Sequence, residues 1–163
     1  MNTRSHKLAL LATLLLPLFV ASCGSGGGGA AAEDDSPEAA AFHYRDGVMQ
    51  SISWKMARIG GMAAGEIPAN NEQFTKDSRD LAALAGMLPE GFIPNSIVKG
   101  SIALPEIWTN NADFLAKAKQ FQDAAQGLAD AAASGGVEGG KGMVQGVRQT
   151  CGGCHRTYRH REQ

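Results

Sequence analysis

The residues best suited to chemistry stand near the C-terminus, in the pentapeptide Cys151-Gly152-Gly153-Cys154-His155. In a C-x-x-C-H motif the two thiols can add to the vinyl groups of a haem as thioethers, and the adjacent imidazole can bind the iron. On a helix, residues at i, i+3 and i+4 share one face, so these three side chains can reach one flat ring. We therefore predict one covalently attached haem c, with His155 as an axial iron ligand.

Other uses of a cysteine pair at this spacing fit the chain less well. A thioredoxin-type C-x-x-C motif belongs to a βαβ pattern, which the sequence does not show. A structural zinc site needs a second pair of ligands, and none accompanies this motif. An accidental pair of thiols without a cofactor is the remaining alternative.

The first 22 residues have the pattern of an export signal. Arg4 and Lys7 form a positively charged start, and an apolar run follows from Leu8 to Val20. This run is shorter than the roughly 20 apolar residues that span a bilayer as a helix. We therefore predict a signal peptide over residues 1–22 that is removed on export. Export agrees with the predicted cofactor, because a haem of this type is attached outside the cytoplasm.

Cys23 stands where a lipid anchor would be attached. Residues 20–23 resemble a bacterial lipobox, in which the chain is cleaved before the cysteine and the new terminal thiol is lipidated. The stretch 23–35 would then form a flexible tether with a reach on the order of 20 Å. The residue after this cysteine is Gly24 and not an aspartate, which resembles the sequence of lipoproteins that are sent to the outer membrane. We expect the mature protein on the periplasmic side of a bacterial membrane, held by lipid only; ordinary cleavage without lipidation is the alternative.

The net charge of the chain argues against nucleic acid as a partner. Removing the signal peptide takes away two basic residues and no acidic ones, so the formal charge changes from −1 to −3. Binding to nucleic acid needs a concentrated basic face, and we expect no such binding. A small basic cluster near the haem motif consists of Arg148, Arg156, Arg159, His160 and Arg161. It fits either cations favoured at a helix C-terminus or a docking patch for an acidic partner.

Four segments carry helical periodicity, and none shows sustained strand-like alternation. The first helix is predicted to open at Ser36, with a proline in the first helical position, and to end around 65–68. The second is predicted to run from Asn70 to Pro89. The apolar stripe of the first helix consists of Phe42, Met49, Ile52, Met56 and Ile59. These two helices are joined by a short turn.

The third helix is predicted to begin after 109–111 and to end at a glycine-rich break over 134–140. Between the second and third helices lies a long connection, 89–105, and long loops in compact domains usually have a function. The last helix carries the haem motif on its apolar stripe, which consists of Val144, Val147, Cys151, Cys154 and Tyr158. We therefore predict a single all-α domain over 36–163, an antiparallel four-helix bundle with covalent haem in its core near the C-terminal helix.

A haem motif at the C-terminal end of a helical chain resembles the class II c-type cytochromes, the cytochrome c′ family. The matching pieces are YRDGVM at 44–49, GEIP at 65–68, ALPEIW at 103–108 and CGGCHRTYR at 151–159. The resemblance covers nearly all of residues 38–160, and the last piece is the most specific.

The resemblance implies roles for individual residues. It makes His155 the proximal iron ligand and Arg45 a partner of a haem propionate, with a solvated surface arginine as the alternative for Arg45. Arg159 resembles an arginine beside the proximal histidine, or is a cation near the helix end. Phe92 resembles an aromatic wall of the distal pocket, or merely covers the end of the bundle. Trp108 is expected to pack in the core and not against haem.

The role of Met49 decides between two possible functions. The resemblance implies that in most family members an apolar side chain at this position leaves the iron five-coordinate, whereas in a low-spin subset a methionine from this helix is the sixth ligand. A five-coordinate iron would exchange electrons and bind small gases such as nitric oxide and carbon monoxide. A ligating Met49 would make the protein a one-electron carrier with a raised potential. We favour the first function and keep the second open.

An enzymatic reaction is less well supported. Peroxidase-like haem proteins need distal acid and base groups, and His43 lies six residues before Met49, on a different face of the helix. We therefore expect an electron carrier or gas-binding protein and not an enzyme. A haem that only stabilises the fold, without a redox or binding role, is a weaker alternative. The expected partners are a redox protein in the periplasm or membrane, a diatomic gas and, by resemblance, a second copy of the chain that pairs through the first two helices.

Overall fold

The computed structural model describes residues 34–160, and this part of the chain is built from α-helices. They are α1 (Pro37–Ala64), α2 (Asn71–Met87), α3 (Glu106–Thr109), α4 (Asn111–Gly140) and α5 (Val144–Tyr158). Short 3-10 turns follow α2 at Leu88–Gly91 and α4 at Lys141–Met143. The four long helices form the predicted antiparallel four-helix bundle, whereas the single turn of α3 was not predicted. The signal peptide, Cys23, most of the tether and Arg161 lie outside the described residues.

The predicted starts of α1 and α2 are confirmed by local hydrogen bonds, whereas α2 ends at Met87, two residues before the predicted Pro89. The Ser36 hydroxyl accepts a hydrogen bond from the Ala39 amide at 3.1 Å, and the Asn70 side chain accepts one from the Gln73 amide at 2.9 Å. These bonds use amide groups that have no partner inside the helix. Gly65 ends α1 in the left-handed conformation (φ +75°), which glycine adopts without a steric cost.

The glycine-rich break after the third long helix is narrower than predicted. The chain leaves helical geometry only at Gly135 and Gly136, and α4 resumes to end at Gly140. Gly136 has φ +58° and lies against the side chain of Asn71, whose oxygen accepts a hydrogen bond from the Val137 amide at 3.0 Å. Because the start of α2 binds this kink, the chain turns here without a long loop.

The predicted apolar stripe of α1 divides between two environments. Ile52 and Ile59 are buried in the core shared by α1, α2, α4 and α5. Phe42, Met49 and Met56 are only partly buried, because they line a cavity, to whose wall Ile52 also contributes. The fully buried side chains of this core include Phe74, Leu81, Leu128 and Val147. Helix α1 thus packs on the bundle with one part of its apolar surface and leaves another part for a ligand.

No helix within residues 34–160 is both long enough and apolar enough to cross a bilayer.

A buried carboxylate ties α1 to α2. Asp77 has a side-chain exposure of 0% and accepts hydrogen bonds from Lys55 Nζ at 2.8 Å, from Arg58 Nε at 2.8 Å and from Gln73 at 2.9 Å. Lys55 also binds Asp80 at 2.6 Å. Burial by itself raises the pKa of the Asp77 carboxyl, but the hydrogen bonds and charges of Arg58 and Lys55 outweigh burial and hold this pKa below its usual value.

Because the folded-state pKa of Asp77 is lowered, its stabilising effect is complete above the unfolded-state pKa of about 3.9 and is lost as the pH falls through the lower folded-state value. We predict that Asp77→Asn lowers the free energy of unfolding at pH 7 by about 3 kcal/mol, since it removes a buried counter-charge from two partly buried cations. The variant should also lose less stability than the parent below about pH 4. Guanidinium titrations at several pH values measure both effects.

Asp123→Asn is the matched control, because Asp123 pairs with Lys119 on the surface of α4 and is 64% exposed. Exposed pairs contribute about 1 kcal/mol or less. An Asp77→Asn variant as stable at pH 7 as Asp123→Asn would contradict the assignment.

Candidate haem site

A cavity of about 650 Å³ lies between α1 and α5. Residues of α4 and of the long connection after α2 complete its wall. The volume falls within the range of about 300 to 1,000 Å³ that is typical of cofactor and ligand sites. Apolar contributions to the wall come from Phe42, Met49, Ile52, Met56, Phe92, Ile107, Phe114 and Phe121. Such a wall suits the apolar body of a flat ring.

The structure brings the three motif side chains together on this wall. Cys151, Cys154 and His155 all line the cavity and are partly buried, and both thiols are free of disulfides. Burial raises the pKa of each thiol, so both stay protonated near neutral pH. Burial, and to a lesser degree the charge of Arg159, lowers the pKa of the His155 imidazole. The neutral imidazole that binds iron is therefore the favoured form.

Arg45 is buried, with an exposed fraction of 5%, and holds the long connection against α1. Its Nη1 donates to the Gly91 carbonyl at 3.0 Å and to the Ser96 hydroxyl at 2.9 Å. Its Nη2 donates to the Ser96 carbonyl and to the Ser101 hydroxyl, the latter at 2.9 Å. The guanidinium also lies over two rings of the cavity wall, those of Phe42 and Phe92. A solvated surface arginine is thus the wrong description of this residue.

These bonds occupy the four Nη hydrogens of Arg45. The family resemblance implies that Arg45 pairs with a haem propionate, and this stays a prediction. The propionate would have to bind the Arg45 Nε–H or replace one of the present acceptors of the Nη hydrogens. Burial lowers the pKa of Arg45, but an arginine starts so high that it keeps its charge.

Glycine at position 91 allows the connection to approach α1 closely. A Cβ atom there would lie 2.6 Å from the Arg45 Cβ and 3.0 Å from the Tyr44 ring. Next to this contact, the Tyr44 hydroxyl donates to Glu90 at 2.8 Å. The roles of Gly91 and Ser96 could not be predicted from the sequence, because they arise only when residues about 50 positions apart in the chain meet.

Phe92 lies in a row of aromatic rings along one side of the cavity. Its ring centre is 4.9 Å from that of Phe114, which is 5.5 Å from that of Tyr158, and both pairs are edge-on. The Tyr158 hydroxyl donates to Asp113 at 2.6 Å; burial and this bond raise the pKa of Tyr158 to about 12. Trp108 is partly buried against the cluster that contains Phe114 and Tyr158, and its indole N–H donates to the Phe92 carbonyl at 3.0 Å.

The end of α5 is tied to the connection by backbone hydrogen bonds. The Leu104 amide donates to the Tyr158 carbonyl at 3.0 Å, and the His160 amide donates to the Ile102 carbonyl at 2.8 Å. These two hydrogen bonds form an isolated antiparallel β-bridge between Ala103 and Arg159. Both residues lie on the cavity wall. The predicted site residue Arg159 therefore reaches the site through backbone pairing.

Met49 and His43, which both belong to α1, lie in different surroundings. Met49 is on the cavity wall and partly buried, and Met56 occupies the same wall two turns later. His43 is exposed, with its ring 5.1 Å from that of Phe42, and it does not line the cavity. Within residues 34–160, His155 is thus the single imidazole on the wall.

Comparisons with known proteins agree with the geometry of the site. A family model described as cytochrome c′ matches residues 40–159. The chain is 34% identical over 122 residues to cytochrome c-554 of Cereibacter sphaeroides, which covers 72% of this chain and 91% of that protein. It is 33% identical over 116 residues to cytochrome c-556 of Agrobacterium tumefaciens (strain II Chrys), with coverage of 71% and 93%.

Solved structures match the fold as well. Cytochrome c prime from Shewanella frigidimarina superposes with a TM-score of 0.73 at 32% identity, over 78% of this chain and 100% of that chain. The nitric oxide complex of the L16A mutant of cytochrome c prime from Alcaligenes xylosoxidans superposes with a TM-score of 0.72 at 26% identity, over 79% and 100%.

Two glycines in the haem motif make α5 a weak helix without its cofactor. Gly152 and Gly153 lie inside α5, and each costs about 1 kcal/mol relative to alanine. We predict that a Cys151→Ala, Cys154→Ala double variant, which cannot attach haem covalently, loses helical signal equivalent to about one helix in circular dichroism. A Cys23→Ser variant, which keeps the motif, is the control. Full native helicity in the double variant would contradict the prediction.

Proposed function

Because this chain belongs to the cytochrome c′ family and carries a covalently bound haem c, we propose that it exchanges single electrons and binds small gases at a five-coordinate iron. The observation that carries this proposal is the cavity wall, which combines the thiols and imidazole of α5 with an apolar surface from α1. When bound, haem supplies the redox-active iron. The protein supplies burial, the axial ligand and control of access.

The role of each wall residue follows from its position. Cys151 and Cys154 would hold the ring through thioethers, and His155 would bind the iron from the α5 side. Met49, on the α1 wall, would act as a lid that admits small diatomic molecules and excludes bulky ones. The nitric oxide complex of the related Alcaligenes xylosoxidans mutant supports gas binding as the function.

A second function is favoured by a specific feature of the wall, the thioether of Met49. Thioether sulfur binds haem iron in electron-transfer cytochromes and raises the potential. Since Met49 lines the cavity together with His155, its sulfur could serve as the sixth ligand instead of a lid. In that case the protein would be an electron carrier without gas binding.

We propose a carrier or gas-binding role and not an enzymatic one. Among residues 34–160, the carboxylate on the cavity wall is that of Asp46, which is exposed and accepts a hydrogen bond from Gln50 at 2.6 Å. It has no imidazole partner on the α1 side, since His43 faces solvent. An acid–base pair for turnover of an organic or peroxide substrate would have to come from elsewhere.

Absorption spectroscopy of the purified haem protein separates the two functions. With Met49 as a lid, we predict a high-spin ferrous spectrum that shifts when carbon monoxide is added. Met49→Leu should keep that spectrum, since leucine is also an apolar lid of similar volume. Met56→Leu, on the same wall, is the matched control.

A low-spin ferrous spectrum that ignores carbon monoxide would overturn the five-coordinate proposal. Conversion of that spectrum to high spin by Met49→Leu, with no change in Met56→Leu, would then establish Met49 as the sixth ligand.

We further propose a location on the periplasmic side of a bacterial membrane, with a lipid on Cys23 as the anchor. Expressed in a Gram-negative host, the parent protein should sediment with the membrane fraction, and Cys23→Ser should be released with the soluble periplasm. A Cys23→Ser variant that still sediments would contradict the lipid anchor. Because haem attachment depends on other cysteines, the haem spectrum should be the same in both.

The partners we propose are a redox protein of the same compartment and a diatomic gas. A homodimer through α1 and α2, which family resemblance implies, stays a prediction. Trp54 supports it, since this large side chain of α1 is 64% exposed.

A further inference from the structure

The side chain of Arg148 reaches from α5 across to α1 and lies in a notch made by Gly60. A Cβ atom at Gly60 would overlap the Arg148 Nη2 and lie 3.2 Å from its Cζ. Gly60 itself is buried. Only glycine at position 60 therefore leaves room for the guanidinium where it lies.

This placement puts the cation on the wall of the haem cavity. Arg148 precedes Cys151 by three residues and His155 by seven, so all three share one face of α5. The motif side chains that would hold haem and iron thus stand one and two turns from the charge. Arg148 is exposed to solvent, and its side chain also borders the cavity that would hold the cofactor.

Arg148 takes no part in the ion pairs formed within residues 34–160. The other cations on the cavity wall are Arg45, Lys117 and Arg159, and the carboxylate on this wall is that of Asp46. Lys117 already pairs with Asp113 at 3.5 Å, and Arg45 is bound to the long connection. Cations outnumber carboxylates on this wall, which leaves the charge of Arg148 without a protein counter-charge.

A fixed positive charge near the cofactor favours the state of the iron with the lower positive charge. Reduction of ferric to ferrous iron adds one electron and makes or breaks no bond. The Coulomb energy of a nearby cation is lower after that step. Because Arg148 is exposed, solvent screens part of this effect. An arginine is suited to this role because it keeps its charge throughout the physiological pH range.

We propose that Arg148, held in the notch of Gly60, is a positioning residue that raises the reduction potential of the haem iron. This inference deepens the proposed electron exchange and rests on it. Gly60 contributes by placing the guanidinium on the wall, so both the charge and its position matter.

Redox titration with mediator dyes, followed by the haem absorbance of the holoprotein, tests the proposal. At a fixed ambient potential, Arg148→Met should lower the ratio of ferrous to ferric protein by about three- to tenfold, since it removes the charge and keeps a long side chain. Arg148→Lys should recover most of the parent ratio. Gly60→Ala should give an intermediate ratio, because it keeps the charge and displaces it.

Two variants are matched controls. Arg156→Met removes a cation of the same helix that does not line the cavity, and Gly47→Ala adds a methyl group to α1 where nothing lies within 4 Å. Both should change the ratio less than Arg148→Met does. Thermal unfolding of each variant shows whether a change in potential merely follows a loss of stability.

The proposal is overturned if Arg148→Met shifts the ratio no more than Arg156→Met, or if Arg148→Lys behaves like Arg148→Met. These results would leave electron exchange itself intact, because the haem would still titrate reversibly. A parent protein without a reversible one-electron transition would instead overturn the proposed function.

Discussion

The site depends on α1 and α5 being held apart while both belong to one bundle. Two helices in full contact would leave no room for a flat ring between them. Here α1 packs on the core through Ile52 and Ile59, and its partly buried side chains Met49 and Met56 face the cavity. Arginines reach between elements at two places on this wall: Arg45 binds the connection after α2, and Arg148 lies against α1. The cavity is thus bordered by polar contacts that apolar packing alone would not create.

Charge is arranged differently on the two sides of α1. Toward α2, the helix directs Lys55 and Arg58 onto the buried carboxylate of Asp77, so opposite charges meet and stabilise the helix pair. Toward the cavity, Arg45 donates to carbonyl and hydroxyl oxygens, and the exposed Arg148 of α5 lies against Gly60. Within residues 34–160, neither arginine forms an ion pair with a carboxylate. The first arrangement is structural. The second leaves positive charge beside the cofactor, where it can act on anionic groups and on the iron.

Local signals predicted much of the fold and part of the site. The cap at Ser36 and the start of α2 near Asn70 were predicted because such signals act within a few residues, and the haem motif was recognised because its spacing is local as well. The helical periods also identified the bundle. The stripe of α1 was less informative, because periodicity marks apolar positions without showing whether a neighbour is a helix or a cofactor. Met49 and Ile59 therefore belong to one pattern but to different surroundings.

By itself, the sequence determined which residues can attach haem and where α1 and α2 begin, since each of these depends on residues close together in the chain. Only the tertiary structure decided what Arg45 and Arg148 do. Arg45 meets Ser96 and Ser101 more than 50 positions away, and Arg148 meets a glycine of another helix. A long charged side chain can reach water, a carboxylate, a carbonyl or a notch, and only the packed neighbours select one of these partners.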